Sequence, residues 1–341
     1  MKKMKKKQLR VGIIGAGLIG AKRAKIIATR PGTRLVTVAD PDLDRAKALA
    51  DAYGVEAMAD WKKLVRRPDI DAVVVAVPNA FTAPIVLAAL AHKKHVLSEK
   101  PFGITAAESK KMLAAARTSR RVVKVGFNHR FHEGLMKAHE IMEKGGIGKV
   151  LFLRSRYGHG GRKGMEKEWR FNKKISGGGE LLDQGVHIID LARWFGGEFK
   201  EVYGLTQTKY WKAKVDDNAF ALMTNDHVTV SFHVSTTNWK NIFSFEVFGD
   251  KGYLQIDGKN GSYGEEMLTY GKTNLGFAPT LTVFKFGGKD DSWDREWMNF
   301  ANAIAGKEKV NGGPLDGLRA NQIIEAIYAA SKAKKSVRLK R

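Results

Sequence analysis

The sequence predicts an α/β fold whose first half is a parallel sheet covered by helices and whose second half is α+β with an open, largely antiparallel sheet. Three observations predict it. A β-branched run at residues 9–14 leads into Gly15-Ala16-Gly17-Leu18-Ile19-Gly20 and then a helical stretch. A second run, Leu35 to Ala39, ends at Asp40, twenty residues beyond Gly20. In the second half, apolar alternation at period two replaces the strand-helix alternation of the first.

A GxGxxG alone says little, but strand, glycines, helix, strand and acid in this order form the Rossmann dinucleotide fingerprint. The first glycine permits a tight turn, the second lets a pyrophosphate approach the backbone, and the third lets helix and strand pack closely. The helix N-terminus then faces the phosphates. This places backbone contacts to the cofactor at Gly15, Ala16, Gly17, Leu18 and Ile19. Asp40 accepts the ribose hydroxyls and repels a 2′-phosphate, so the expected cofactor is NAD in preference to NADP.

The alternation continues through a helix at Leu43–Tyr53, a strand at Ala72–Val77 ending at Pro78-Asn79, and a helix from Thr82 to His92. A strand at His95–Ser98 then runs into Glu99-Lys100-Pro101, and a helix at 105–118 precedes the strand Val122–Val125. Ligands bind beyond the carboxyl ends of such strands, where Asp40, Pro78, Asn79, Glu99 and Lys100 all lie. Lys100 there reads as a charge that stabilises an alkoxide. Glu99 reads either as its partner and a cofactor contact or as a structural carboxylate. Asn128 closes the domain as a further contact with substrate or nicotinamide.

After a helix at 132–144 and a strand from Val150 comes a polar loop, residues 157–176, holding Tyr157, His159, Arg162, Lys163, Trp169 and Arg170. Its place makes Tyr157, Trp169 and Arg170 candidate substrate contacts, and a solvated connection is the equal alternative. The stretch Gly177-Gly178-Gly179-Glu180-Leu181-Leu182-Asp183-Gln184-Gly185-Val186-His187 follows. Three glycines let backbone approach a ligand ahead of a helix N-terminus. Helical spacing puts Asp183, His187 and Asp190 on one face, equipment for moving a proton. Asp190 also reads as a satisfied carboxylate. No metal is expected, because hydride transfer with a lysine needs none. Beyond it, residues 228–235 alternate strictly, Phe243–Phe248 and Tyr253–Ile256 form a hairpin, and helices return at 294–305 and 315–333.

The 341-residue length suits two domains: 1–128 with a basic tail at 1–8, and 129–335, followed by a basic tail at 336–341. The net charge is +24, of which residues 1–10 and 332–341 carry six cations each and no acid, leaving +12 between them. The interior shows no aromatic-basic alternation and no zinc-finger spacing, so no specific nucleic-acid partner is expected. The residual charge is compatible with an anionic ligand. There is no cysteine, which excludes disulfides and thiolate chemistry. No apolar run is long enough to span a bilayer and no signal peptide is apparent, so the expected location is cytoplasmic.

With GAGLIG, LSEKP and GGGELLDQGVHIID in this order, the chain resembles the Gfo/Idh/MocA oxidoreductases over residues 9–335. The resemblance implies NAD(P)-dependent hydride transfer at a hydroxyl or keto carbon of a sugar, polyol or nucleotide-linked sugar. It maps the family's catalytic lysine to Lys100 and its helix pair to Asp183 and His187. It leaves open whether Lys100 or His187 takes the proton. It also implies a homodimer or homotetramer built on the second domain's sheet. Redox-neutral sugar modification and non-catalytic dinucleotide binding are the alternatives. One departure is visible, since Thr82 follows Asn79-Ala80-Phe81 where members often carry a histidine.

Overall fold

The computed structural model describes residues 8–339, so residues 1–7 and 340–341 of the expected basic tails lie outside the described residues. The first strands and helices are β1 (Leu9–Ile14), α1 (Leu18–Thr29), β2 (Thr33–Ala39), α2 (Leu43–Asp51), β3 (Glu56–Met58), α3 (Trp61–Arg66) and β4 (Ala72–Val75). Then come α4 (Thr82–Ala91), β5 (His95–Ser98), α5 (Ala106–Ser119) and β6 (Val123–Val125). The six strands pair in parallel in the order β3-β2-β1-β4-β5-β6. Burial from both sides explains why β4 is an unbroken Ala-Val-Val-Val run with every residue buried. Succession runs outward from β1 to β2 and β3 on one side and through β4 to β6 on the other. The carboxyl ends of β1 and β4 therefore flank the point where the order reverses, the crevice that favours ligands in such sheets.

The second body contains α6 (Glu133–Glu143), β7 (Val150–Gly158), α7 (Lys173–Ser176), α8 (Val186–Gly196), β8 (Glu201–Gln207), β9 (Asn218–Thr224) and β10 (Thr229–Ser235). A meander of β11 (Ile242–Gly249), β12 (Gly252–Asp257), β13 (Glu266–Lys272) and β14 (Thr280–Phe286) completes it. The expected hairpin is present, with Gly249 opposite Gly252 across Asp250-Lys251. The sheet is antiparallel except where β10 runs parallel to β7. On β10, Val230, Phe232 and Val234 are buried, while Ser231 and His233 are less so. The apolar helix α8 packs on β7.

The remaining elements are α9 (Ser292–Ile304), α10 (Pro314–Ala333) and β15 (Val337–Arg338). Here the division of the chain differs from the linear boundary at residue 128. Among the described residues, one compact unit takes those up to 126 together with 293–318, and the other takes 127–292 together with those from 319 on. The reason is packing: Trp297 and Phe300 of α9, both fully buried, belong to the core with Val11, Ile13, Ala24 and Val74. Apolar periodicity predicts that a helix exists, not which sheet it covers. The C-terminal segment also differs from a tail. Val337–Arg338 extends the edge of β8, and the Leu339 N–H donates to the Lys200 carbonyl at 2.8 Å. An open strand edge offers such a segment a row of unpaired backbone groups.

Candidate active site

In the nucleotide-binding unit, the three glycines divide their labour as the fingerprint requires. Gly15 has φ +103°, and a Cβ there would lie 2.2 Å from the Ala76 carbonyl. A Cβ at Gly20 would strike the Gly15 carbonyl at 1.8 Å, so α1 packs directly on the backbone of the turn that follows β1. A Cβ at Gly17 would meet nothing within 4 Å. The N-terminus of α1 at Gly17 has no side-chain cap, whereas α2, α3 and α5 are capped by Asp42, Asp60 and Thr105. Open space ahead of uncapped amides fits a pyrophosphate, and Leu18 and Ile19 carry the first of those amides.

Asp40 is fixed at the end of β2. Its carboxylate accepts the Ala16 N–H at 2.8 Å and the Asp42 N–H at 3.0 Å, leaving lone pairs for further donors. Pro78 leads into a single turn at Asn79–Phe81, in which Asn79 is buried. Lys100 follows β5 through Glu99, and its peptide bond to Pro101 is cis. Glu99 takes part in a buried ion-pair network. Glu99 Oε1 accepts Arg23 Nε at 2.8 Å and Nη2 at 2.7 Å, and Arg23 also donates to Glu296 at 2.5 Å. Burial opposes the Arg23 charge, yet the two carboxylates outweigh it and raise its pKa. Burial also pushes the Glu296 carboxyl up.

In the second unit, the glycine run serves a different purpose from the one its sequence suggests. A Cβ at Gly178 would lie 2.6 Å from the Tyr328 hydroxyl, and one at Gly179 would lie 2.0 Å from the Asp216 carbonyl. Asp216 accepts the N–H groups of Gly179 at 3.1 Å and Leu181 at 2.8 Å, and the Tyr328 hydroxyl at 2.6 Å. Burial raises its pKa against these hydrogen bonds. The amides expected to face a ligand thus hold a carboxyl group of the protein itself.

The helix also starts with a wide i→i+5 turn, Leu181–Gly185, before regular α8. That turn gives Asp183 a wider phase than His187 and Asp190, which lie three residues apart on regular α8. Each of the three carboxylate and imidazole groups has neighbours of its own. Asp190, 1% exposed, takes a two-point ion pair from Arg130 at 2.8 and 2.6 Å, the satisfied-carboxylate reading. Asp183, 27% exposed, lies 3.5 Å from Arg170 Nε, and that guanidinium stacks 4.7 Å from the Trp169 ring. The 157–176 loop therefore reaches Asp183. His159 shares this neighbourhood, and burial holds its imidazole below the ordinary range while Asp183 opposes the shift.

His187 is buried, and its ring stacks on His129 at 3.8 Å between centroids with 22° between planes. Lys259 Nζ lies 3.4 Å from His129 Nε2 and donates to the Tyr157 hydroxyl at 3.0 Å. The same ammonium sits 4.2 Å from the centre of the Tyr263 ring. Burial pushes the Tyr157 phenol well up and the Tyr263 phenol up to about 12, so both remain neutral. Asn128 is 5% exposed, with its amide nitrogen on Ser292 at 3.0 Å and its oxygen 3.2 Å from His129 Nδ1. His129, Lys259 and Tyr263 were not singled out in the sequence. His129 adjoins Asn128 in a readable position, whereas Lys259 and Tyr263 lie in the connection after β12, with no local signal. Among the described residues, no group of three or more His, Asp or Glu is arranged to hold a metal.

An uncapped glycine turn with an aspartate fixed at the end of the next strand, in one chain with a histidine-bearing α+β unit, is the arrangement expected of a dinucleotide-dependent oxidoreductase. Comparison with known proteins agrees. Residues 9–127 match the model described as oxidoreductase family, NAD-binding Rossmann fold, and residues 135–255 match the GFO/IDH/MocA C-terminal domain. The chain is 30% identical over 265 residues to inositol 2-dehydrogenase of Rubrobacter xylanophilus, covering 75% of this chain and 73% of that one. It is 33% identical over 256 residues to inositol 2-dehydrogenase of Salmonella typhimurium, covering 73% and 74%. Among solved structures, levoglucosan dehydrogenase in complex with NADH superposes with a TM-score of 0.89 at 25% identity, over 98% of this chain and 100% of that one. The chain belongs to the Gfo/Idh/MocA family of oxidoreductases. No described helix is long and apolar enough to cross a membrane.

Proposed function

We propose that this oxidoreductase moves a hydride between NAD and a secondary hydroxyl, or the matching ketone, of a cyclic sugar or polyol. The observation that carries the reading is the fixed His187 ring, buried against His129 beside neutral phenols, in a chain that also carries the uncapped Gly17 turn and Asp40. The dehydrogenase names of the matched relatives support the substrate class.

NAD, when bound, accepts the hydride from carbon. The protein must then take the hydroxyl proton and stabilise the oxygen as charge develops. Lys100 is proposed to hydrogen-bond that oxygen. His187 is proposed as proton acceptor, because imidazole titrates near neutrality. Asp183, with Arg170 beside it, is proposed to orient the substrate's neighbouring hydroxyls. Asp40 is proposed to select NAD by accepting the ribose hydroxyls.

The test is turnover on a panel of cyclitols, hexoses and anhydrosugars with NAD, read as NADH absorbance. Net NADH from one of these substrates, lost in Lys100→Met and His187→Ala, supports the reading. Product formation without net NADH would instead indicate a redox-neutral cycle.

A further inference from the structure

Two loops of the second unit bring aromatic rings to its surface. Tyr210 is 60% exposed and Trp239 is 62% exposed, and their rings meet edge to face at 4.7 Å. Trp211 lies edge to face with Tyr210 at 5.2 Å and donates its indole N–H to the Thr236 carbonyl at 3.2 Å. Exposure of two large rings side by side leaves apolar surface in water and calls for an explanation.

The backbone beneath them is held with unusual care. The Asp217 carboxylate accepts three successive amides, from Lys209 at 2.8 Å, Tyr210 at 2.7 Å and Trp211 at 2.9 Å. Trp239 has φ +56°, a left-handed conformation that costs a bulky residue energy and persists only where the surroundings enforce it. Gly160 and Gly161 let the rings close on the loop that carries His159. A Cβ at Gly161 would lie 2.3 Å from the Trp211 ring, and one at Gly160 would lie 3.0 Å from Trp239 Cα. The Asn238 N–H donates to the His159 carbonyl at 3.3 Å. The platform is therefore continuous with the His159 loop, whose imidazole feels Asp183 and Arg170.

We propose that Trp239 and Tyr210 form a subsite for a second sugar ring, so that the substrate is a glycoside or disaccharide rather than a lone monosaccharide. A pyranose presents a face of C–H bonds, polarised positive, which complements the negative face of an aromatic ring. Rigid rings held in place before binding lose little entropy on contact. The exposed Lys209 and Lys240 beside them can donate to the hydroxyl rim. This inference rests on the proposed sugar oxidation and names its substrate class.

The test is calorimetric titration of cellobiose, maltose, sucrose and glucose into the full chain loaded with NADH, with turnover on NAD measured in parallel. At least one disaccharide should bind about tenfold or more tightly than glucose. Trp239→Ala and Tyr210→Ala should remove that advantage and leave glucose binding unchanged, while Trp239→Phe retains most of it. Equal affinity for all four sugars, or binding by none, overturns the subsite. So does an equal loss for glucose in Trp239→Ala, or a shift of the variant's oligomeric mass, which would make the patch a contact between copies. Disaccharide binding that responds to the variants, without any turnover, would uphold the subsite and reject the proposed reaction.

Discussion

The His129 ring lies 3.8 Å from the His187 ring, nearly parallel to it, and is itself held between Asn128 and Lys259. His187 thus takes its orientation from a neighbouring side chain, not from its helix alone. His187→Ala is expected to lower turnover by about two to four orders of magnitude, the range for loss of a general base. His129→Ala should lower kcat about tenfold by freeing the ring, and His129→Phe should restore most of that. Steady-state kinetics on the substrate from the panel checks both.

Asp40 is expected to enforce NAD over NADP, and Arg45 does not oppose it, being paired with Asp42 at 3.3 Å. Asp40→Ser should shift the ratio of the two dissociation constants toward NADP by about tenfold or more. Comparable affinity for both cofactors in the unaltered protein would refute the assignment.

Gly179→Ala should be among the most damaging single-methyl changes in the chain, since the new carbon would lie 2.0 Å from the Asp216 carbonyl. Asp216→Ala removes acceptors from two buried amides and the Tyr328 hydroxyl, at a cost of about 2–4 kcal/mol. Urea unfolding at neutral pH measures each. A loss below about 1 kcal/mol in both would mean the loop relaxes freely.

Burial lowers the His95 imidazole to about 4, and its Nδ1 accepts the Val122 N–H at 3.0 Å. The native chain therefore binds fewer protons there than the unfolded chain. Stability from this group is complete above the unfolded value near 6.5 and is lost as pH falls toward 4. Because the ring is partly exposed, the loss is expected to be about 1–2 kcal/mol after solvent screening. Unfolding curves at pH 7.5 and 4.5 for the natural chain and His95→Gln should differ by that amount in slope.

A homodimer or homotetramer is proposed to form through the outer face of the nine-stranded sheet. Phe152, Tyr203, Leu205, Phe220 and Leu222 are all exposed on its strands, an apolar area that favours association. Light scattering should give a multiple of 37.8 kDa, and the pair Phe220→Glu and Leu222→Glu should reduce it to one copy.

The parallel sheet was legible almost strand by strand because buried β-branched runs and glycine turns are local signals. Only the short edge strand Glu56–Met58 and the helix Trp61–Arg66 escaped, lacking an apolar run. The identities of Lys100, Asp183 and His187 were readable as motif positions. What the glycines before Asp183 do was not, because Asp216 and Tyr328 meet them from distant parts of the chain. Lys259 was invisible for the same reason: its partners Tyr157 and His129 are more than a hundred residues away.

The return of α9 to the first sheet sets a condition on how the protein comes into being. On a ribosome, residues 9–126 emerge with Arg23 lacking Glu296 and the core lacking Trp297 and Phe300. The nucleotide-binding sheet can be completed only when synthesis has passed residue 318, after nearly all of the other unit has been made. Its closure spans almost the whole polypeptide, the kind of distant pairing that slows folding. The half that binds the dinucleotide begins first yet waits for residues 293–318 to close its core, and a fragment cut at residue 126 would emerge with that core open.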